Sequence, residues 1–359
     1  FKQMTADFGM SIVEKFDIPE VMRQSIGGDM YLVKSSLLKT GESMAILGRQ
    51  PMVAYAASND ELHLITPTEM KPAEAPPKVL NVDPTVPNDL DKRLWGLRNQ
   101  GQDGGRAGAD IHATQAWSVA TGRTDGPIIG VIDTGIDYTH PELVHNVWTN
   151  PDPKAPDKHG FNFAANTPDP MDDHSHGTHC SGTIAAEGNN GQGVVGVNWH
   201  AQLMGLKFLT ASGSGSTADA VKAVLYATQH GARITSNSWG GGGFNQALFD
   251  AFKASPALHI VAAGNDSNDN DARPSYPASY DLDNIVAVAA SDRNDAKASF
   301  SNYGRKSVDL AAPGKDILST VPGNKYAVYS GTSMATPHVA GVAGVVASAF
   351  PGITNAQLR

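Results

Sequence analysis

The sequence has few cysteines and few charged residues, and it lacks any long hydrophobic run. Its 359 residues include one cysteine, Cys180, which excludes an intrachain disulfide. Charged residues make up 18% of the chain, the formal net charge is -9, and no Lys/Arg-rich run is present. This balance disfavours a nucleic-acid-binding or basic membrane-docking surface. No stretch approaches the length of a membrane span, so we expect no membrane partner.

Glycine and proline are abundant in the chain. With 37 Gly, 22 Pro and 40% hydrophobic residues, the composition is typical of a globular protein with many tight turns. The length allows one or two domains. The first residues, Phe1-Lys2-Gln3-Met4, do not have the layout of a signal peptide, which leaves open that a leader was removed earlier.

The composition along the chain predicts three parts. Residues 1–67 mix short amphipathic and apolar stretches and end in the strand-like Leu62-His63-Leu64-Ile65, which predicts a small α+β domain. Residues 68–89 are rich in proline and are typical of a linker. Residues 90–359 alternate apolar strand candidates with small-residue helix candidates. We expect the main domain to comprise this last part.

The main domain is predicted to be an α/β fold, with a parallel sheet covered by helices on both faces. Continuous apolar strands separated by helices favour this arrangement. The predicted strands are Pro127 to Ile132, Leu203 to Leu209, Ile234 to Ser238, His259 to Ala263 and Ile285 to Ala290. Chemistry in such sheets collects at the carboxyl ends of the strands.

Three segments carry residue types suited to catalysis. Asp133 follows the apolar strand Ile128 to Ile132, His176 begins a small-residue helix candidate, and Ser333 lies where a loop enters a helix. Each has an ordinary alternative on its own: a turn aspartate, a solvated or capping histidine, and a helix-capping serine. Together they supply the nucleophile, base and orienting carboxylate that acyl transfer by serine requires.

A zinc hydrolase is the alternative suggested by His174, His176 and His179. The helical His-Glu-x-x-His spacing, which provides two ligands and a base, is absent from this segment. The serine interpretation therefore accounts for more of the pattern.

The three segments resemble the signature segments of the subtilase family of serine proteases. The matching stretches are Val131-Ile132-Asp133-Thr134-Gly135, His176-Gly177-Thr178-His179 and Gly331-Thr332-Ser333-Met334-Ala335-Thr336-Pro337, in the family's chain order Asp, His, Ser. Cys180 and Asn198-Trp199 make the chain similar to the proteinase K and thermitase side of the family. The resemblance implies that Ser333 is the nucleophile, His176 the base, Asp133 its partner and His179 a bystander.

The resemblance also implies a substrate cleft. Asn265, in Val261-Ala262-Ala263-Gly264-Asn265, would donate to the developing oxyanion. An extended substrate would add as a strand to Ser238-Trp239-Gly240, so that binding is mostly to the main chain. Gly264 completes the expected substrate-binding set. A small Ser275 would leave the first specificity pocket open to large apolar residues before the cut.

A structural calcium ion is expected from the same resemblance. Glu142 stands where subtilases commonly place a calcium-binding aspartate, and Asn189 lies in the loop that would complete the site. Oxygen donors of this type suit calcium. Two departures, Glu for Asp and a longer loop, leave open that these are ordinary solvated side chains.

Two sulfur-containing side chains lie beside the catalytic residues in the sequence. Cys180 is four residues after His176, hence on the same helix face, where it is either a small buried residue or a site at which mercurials displace His176. Met334 follows Ser333 directly, and its oxidation is expected to lower turnover.

The N-terminal part stands where subtilases carry a ferredoxin-like prodomain. The resemblance implies that residues 1–67 assist folding and then inhibit until the chain is cut in the 68–89 linker, so the chain is a proenzyme that acts on polypeptides as a secreted or extracytoplasmic monomer. An unrelated binding domain is the alternative for this part. A catalytically silent homologue that serves as a scaffold is the alternative for the whole chain.

Overall fold

The structure, a computed structural model, describes residues 1–76 and 86–359. The helices are α1 (Lys2–Asp7), α2 (Glu20–Ile26), α3 (Thr40–Leu47), α4 (Ala113–Ala116), α5 (His176–Ala185), α6 (Thr217–Gln229), α7 (Gln246–Ala254), α8 (Thr332–Ala349) and α9 (Asn355–Leu358), with a 3₁₀ turn at Gln102–Gly104.

The strands follow the chain from the N-terminal part into the main domain. They are β1 (Met10–Lys15), β2 (Tyr31–Ser35), β3 (Glu61–Leu64), β4 (Glu69–Ala73), β5 (Ile128–Asp133), β6 (Gly160–Asn162), β7 (Gln202–Lys207), β8 (Ser214–Ser216), β9 (Ala232–Asn237), β10 (Trp239–Gly240), β11 (Leu258–Ala262), β12 (Ile285–Ser291), β13 (Leu310–Pro313), β14 (Ile317–Val321) and β15 (Lys325–Ser330).

A seven-stranded parallel sheet forms the centre of the main domain, in the order β13-β12-β11-β9-β5-β7-β6. Every strand predicted for this domain from the sequence belongs to it. Its central strands are almost wholly buried, because helices cover both faces. The α/β prediction is therefore confirmed.

Two apolar layers hold the helices on this sheet. On one face α6 and α7 contribute Val221, Leu225 and Phe252 to a core with Met204 of β7. On the other face Ile184 of α5 and Ala340 of α8 pack against Ile129 of β5. Both helices that carry predicted catalytic residues, α5 and α8, thus share one face of the sheet.

Local capping explains where two of the surface helices begin. The side chain of Ser216 accepts a hydrogen bond from Asp219 N at the start of α6, and Asn245 accepts from Ala247 N and Leu248 N at the start of α7. These bonds satisfy amides that have no partner inside a helix. At the start of α6, Thr217 N also donates to the Asp60 carbonyl oxygen, which joins the N-terminal part of the chain to this helix.

Residues 1–47 fold as a small α+β unit against the outer helices of the main domain. Strands β1 and β2 pair antiparallel, Met22 of α2 is fully buried in the core that includes Phe252, and Glu14 forms a 3.2 Å ion pair with Lys222 of α6. A ferredoxin-like unit would contain four strands. The described residues of this unit form a two-stranded sheet instead, and β3, the last strand before the predicted linker, pairs with β8 and β10 of the main domain.

Within residues 1–76 and 86–359, no helix is both long and apolar enough to cross a bilayer. Part of the predicted 68–89 linker, residues 77–85, lies outside the described residues. The described residues of the predicted linker lie on either side of this gap: β4 comes before it, and the buried Asp89 comes after it.

Candidate active site

The three predicted catalytic side chains converge at one edge of the sheet. Asp133 is the last residue of β5, His176 the first residue of α5, and Ser333 the second residue of α8. All three are buried. The sheet brings them together because β5 ends at the edge where α5 and α8 begin.

Asp133 and His176 form a hydrogen-bonded pair. His176 Nδ1 lies 2.8 Å from Asp133 Oδ1, which also accepts from Thr134 N at 2.7 Å. Burial by itself would lower the pKa of His176, but the nearby Asp133 carboxylate outweighs it, and the pKa of His176 is raised well above its ordinary value. The carboxylate therefore fixes the ring orientation and favours the imidazolium that forms during acyl transfer.

Ser333 does not hydrogen bond to His176 in this structure. Its hydroxyl donates to the Ile65 carbonyl oxygen at 2.7 Å, while His176 Nε2 is buried without a partner among the described residues. The imidazole nitrogen that would accept the serine proton is thus not engaged by any other described group. Bonds of this kind often tighten only during catalysis.

Asn265, the predicted oxyanion donor, lies close to Ser333. Its Nδ2 donates to the Thr66 carbonyl oxygen at 2.9 Å, and its Oδ1 accepts from both Thr332 N and Thr332 Oγ1 at 2.9 Å. A Cβ on Gly331 would come within 3.0 Å of Asn265 Nδ2, so glycine permits this close approach. The pair of bonds to Thr332 fixes the amide with its donor facing the cleft.

The chain's own segment β3 occupies the cleft as an added strand. It pairs antiparallel with β10, with Leu64 opposite Trp239 and His63 opposite Gly240, as predicted for a bound polypeptide at Ser238–Gly240. On its other side β3 pairs with β8, and Leu64 N donates to Gly213 O at 2.8 Å. The sequence reasoning missed β8; the glycine-serine alternation at 213–216 was its only signal.

Ile65 is the residue seated next to the nucleophile. Its amide donates to Ser238 O at 3.3 Å, and its Cδ1 lies 3.7 Å from the place where a Cβ on Gly240 would stand. The Tyr276 carbonyl oxygen lies 2.9 Å from the same point, so the chain just after Ser275 borders Gly240. A Cβ at Gly240 would therefore crowd the Tyr276 carbonyl, whereas its distance from Ile65 is an ordinary contact. Gly264, with φ of 113°, precedes Asn265 and leads the chain to the oxyanion donor.

Ser333 and Asn265 contact two neighbouring carbonyls. Ser333 Oγ contacts the carbonyl of Ile65, whereas Asn265 Nδ2 contacts that of Thr66. The next peptide bond leads to Pro67, which is buried. Attack requires both groups to act on the same carbonyl. In this structure they contact neighbouring carbonyls, so neither carbonyl is positioned for attack.

Beyond the nucleophile the chain continues along a different edge. Thr68 N donates to Ser330 O at 2.7 Å, and β4 then pairs antiparallel with β15 from Glu69 opposite Ser330 to Ala73 opposite Tyr326. Every β4 residue from Glu69 to Pro72 is exposed. The cleft is therefore occupied on both sides of Ser333.

A pair of buried carboxylates lies at the predicted calcium position. Glu142 is fully buried and accepts from Tyr326 OH at 2.8 Å and from Asn190 Nδ2 at 2.9 Å. Asp89 is also buried; its Oδ2 accepts from Asn190 N at 2.9 Å, while its Oδ1 has no partner among the described residues. Burial raises the pKa of both carboxyls, and Asp89 adds to the rise at Glu142. These oxygens fit a cation such as calcium.

Asn189 is placed differently from the expectation. It is exposed, and its Oδ1 accepts from Asn88 N at 3.2 Å, whereas the neighbouring Asn190 contacts Glu142. Asp89 was missed because it lies in the predicted linker, about fifty residues before Glu142 in the sequence, and no local pattern connects them.

The remaining singled-out side chains have structural contacts. His179 Nε2 lies 3.1 Å from Ile317 O and 3.2 Å from Ala327 O, and burial lowers its pKa to about 3, so it is a neutral donor that ties β14 to β15. Cys180 is fully buried, with Sγ 3.8 Å from His176 Nδ1 and 3.4 Å from Ser333 O. Met334 is fully buried beside it.

The zinc alternative is not supported by this geometry. Among the described residues, the one group of three candidate ligands close enough for a metal is Asp133, His176 and Cys180, and it does not include His174 or His179. Its aspartate and histidine are already hydrogen bonded to each other.

These groups define the class of protein. A buried serine, an imidazole oriented by a carboxylate and an amide donor beside the serine are the parts of an acyl-transfer site that attacks carbonyl groups. The strand added beside them shows that the cleft accepts an extended polypeptide. The site is that of a serine hydrolase that acts on peptide bonds.

Comparison with known proteins gives the family. The sequence profile of the subtilase family (Peptidase_S8) matches residues 124–359. The chain is 39% identical over 294 residues to a thermophilic serine proteinase of Bacillus sp. (strain AK1), covering 80% of this chain and 69% of that protein. It is 42% identical over 249 residues to thermitase of Thermoactinomyces vulgaris, covering 68% and 82%.

A solved structure agrees with these sequence matches. The crystal structure of a cold adapted subtilisin-like serine proteinase matches with a TM-score of 0.61 and 32% identity, covering 75% of this chain and 89% of that one. The chain belongs to the subtilase family, and it is a subtilisin-like serine endopeptidase. The resemblance stated from the sequence is thereby confirmed.

Proposed function

We propose that this protein is a self-processing zymogen, in which residues 1–67 assist folding and inhibit a broad-specificity endopeptidase made of residues 90–359. The supporting observation is that residues Leu62 to Thr66 occupy the cleft as a polypeptide substrate would, with the Ile65 carbonyl oxygen 2.7 Å from Ser333 Oγ. The triad Asp133, His176 and Ser333 acts on this segment first.

The first bond cut is Ile65–Thr66. The amide of Ile65 is paired with Ser238 O and its carbonyl faces the nucleophile, so the chain on the N-terminal side is in register for this bond. This bond precedes residues 68–89, in which the sequence predicts the processing site. A cut after Thr66 would require the nitrogen of Pro67 as leaving group, whose ring fixes the backbone there.

The cut follows once the Ile65 carbonyl oxygen turns from Ser333 to Asn265. Ser333 Oγ bonds to the Ile65 carbonyl carbon as His176 Nε2 takes its proton, and Asn265 donates to the resulting oxyanion. The Ile65–Thr66 bond then breaks, and His176 gives the proton to the Thr66 amine. Water, deprotonated by the same imidazole, releases Ile65 from the ester and restores Ser333.

Specificity is expected to be broad, with a preference for large apolar residues before the cut. Binding through β8 and β10 uses the main chain, which every polypeptide provides. Ile65 lies against Gly240, and the alternate side chains Leu62 and Leu64 are buried. Burial of Leu62 and Leu64 favours apolar residues in the segment before the cut.

A structural calcium ion is proposed at Glu142 and Asp89. Asp89 Oδ1 lacks a partner within residues 1–76 and 86–359, and two buried carboxylates beside Asn190 are a costly arrangement without a cation. When bound, the ion would neutralise this pair and stabilise the fold. Asn189 is retained as the original candidate ligand, although its side chain contacts Asn88.

We further propose a secreted or extracytoplasmic monomer whose partners are polypeptide substrates and its own prodomain. One of its relatives is a cell wall-associated protease of Bacillus subtilis, to which it is 36% identical over 266 residues. The net charge of -9 supports the expectation of no nucleic-acid partner.

Mass spectrometry combined with a fluorophosphonate probe tests the proposal. The purified full-length chain should convert to two fragments that separate between Ile65 and Thr66, and Ser333 should become labelled as the N-terminal fragment is lost. A Ser333→Ala variant should remain one chain of 359 residues and resist the probe. A first cut elsewhere would contradict the bond assignment, and a chain that stays intact and unlabelled would support the silent-homologue alternative.

A further inference from the structure

The outer edge of β15 receives the chain after it has passed the nucleophile. From Ile65 the chain runs through Thr66 and Pro67, Thr68 N donates to Ser330 O at 2.7 Å, and β4 continues the pairing to Ala73 opposite Tyr326. Ala73 is the eighth residue after Ile65. A polypeptide held at Ser333 is therefore led directly onto this edge.

Strand β15 is held in place by contacts on its inner side. On its inner side β15 pairs with β14, from Ile317 opposite Tyr329 to Val321 opposite Lys325. His179 of the buried helix α5 ties the two strands together through its contacts with Ile317 O and Ala327 O. The unpaired outer row of amides and carbonyls would otherwise be an open template for another strand.

The strand now on this edge is held mainly by its backbone. All side chains from Glu69 to Pro72 are exposed, and the 2.7 Å pair between Lys71 and Glu69 lies within the strand itself. Beneath the strand, Met70 and Pro72 border a cavity of about 470 Å³ whose other walls include Tyr326 and Tyr329. Backbone pairing beside a partly apolar groove suits extended polypeptides of varied sequence.

We propose that the outer edge of β15 is a docking site for the C-terminal side of polypeptide substrates, extending to about the eighth residue after the cut, and that residues 69–73 of this chain keep it closed. This inference rests on the proposed self-cleavage after Ile65. That cut leaves β4 covalently joined to the main domain, so β4 continues to compete with the substrate. Buried Asp89 shows that the end of the linker is already anchored while β4 is on the edge.

The proposed docking site is tested with two peptide substrates and three forms of the protein. The peptides share one sequence around the cut; the short one ends two residues after it and the long one eight residues after it. The proteins are the self-cleaved chain, the double variant Met70→Pro/Lys71→Pro and the matched control Met70→Ala/Lys71→Ala. Consecutive amides of a strand point in opposite directions, so one of Met70 N and Lys71 N faces β15. Replacing both residues by proline removes that amide, whichever of the two it is.

In the proline variant, kcat/KM for the long peptide should exceed that for the short peptide about tenfold, through a lower KM. In the self-cleaved chain and the alanine control the ratio should stay near one. A ratio that is the same in the proline variant and in the alanine control would overturn the inference. Equal labelling of Ser333 by the fluorophosphonate in all three proteins checks that they are folded.

A second measurement uses the strand as a free peptide. A synthetic peptide of residues 66–76, added to the proline variant, should bring the ratio back toward one; equal inhibition of both substrates would count against the docking site. If the proposed function itself were wrong, neither substrate would be cleaved and Ser333 would stay unlabelled.

Discussion

Strands β3 and β4 belong to the same short stretch of chain, yet the main domain holds them in different ways. β3 pairs on both sides, with β8 and β10, and buries Leu62 and Leu64 in the apolar core. Among the residues that the structure describes, β4 pairs on one side only, with β15, and its side chains from Glu69 to Pro72 are exposed. The two halves of the cleft therefore recognise a polypeptide by different means.

The two strands therefore contribute differently to binding: the β3 side selects among sequences, whereas the β4 side extends the contact along the substrate. On the β3 side, burial of alternate side chains adds apolar free energy to the main-chain bonds, so residues before the cut decide how well a segment binds. On the β4 side the main chain carries the contact, which accepts many sequences. The two halves meet at Ser333 and Asn265, which hold the neighbouring carbonyls of Ile65 and Thr66.

The largest expected effect comes from removing the donor at which the two halves meet. Asn265→Asp keeps the acceptor for Thr332 but loses Nδ2, so stabilisation of the oxyanion is lost. We expect kcat for a short peptide to fall about 10²–10³-fold with little change in KM. Steady-state kinetics on the self-cleaved enzyme measures this. A fall confined to KM would indicate a binding role only.

A second prediction sharpens the contrast between the two strands. Leu62→Ala removes a buried side chain, at a cost of about 2–5 kcal/mol, and should weaken retention of the N-terminal fragment at least about tenfold. Met70→Ala, the matched change on exposed β4, should leave it unaltered. The protein concentration at which the self-cleaved complex gains activity on dilution reports this retention. Equal effects of the two variants would remove the distinction.

The smallest expected effect concerns the calcium position, which touches the β4 side through Tyr326 and Glu142. Because burial raises the pKa of Asp89 and Glu142 in the folded chain, the stability they contribute is present below their unfolded pKa, near 4, and is lost as pH rises through the raised values. Calcium should offset this loss. The gain in Tm on adding calcium to the Ser333→Ala chain should therefore be larger at pH 8 than at pH 5.

Two variants complete this measurement. Glu142→Gln removes one of the buried charges, so it should raise the Tm of the calcium-free protein at pH 8 and reduce the gain from calcium. Asp125→Asn, at an exposed carboxylate paired with Arg123, is the control and should change neither value. A calcium effect that did not vary with pH would argue against this site.

The parts of the site that were predictable lie in continuous segments. Apolar runs predicted the central strands, and the resemblance of three short motifs predicted that Asp133, His176 and Ser333 come together, as the structure places them. The pairing of a polypeptide with Ser238–Gly240 was also expected, and β3 shows it. Asp89 and β8 were missed because each acquires its partner only through folding. The N-terminal unit has a two-stranded sheet where a four-stranded one was expected, and β3 pairs with the main domain.

The sequence by itself determined the residue types and their order, since periodicity and local turn chemistry depend on neighbours along the chain. Only the tertiary structure decided which atoms meet: the Ile65 carbonyl at Ser333, the Thr66 carbonyl at Asn265, and Asp89 beside Glu142. These contacts join residues far apart in the chain. Their geometry depends on how the sheet, helices and added strands pack, which no local pattern specifies.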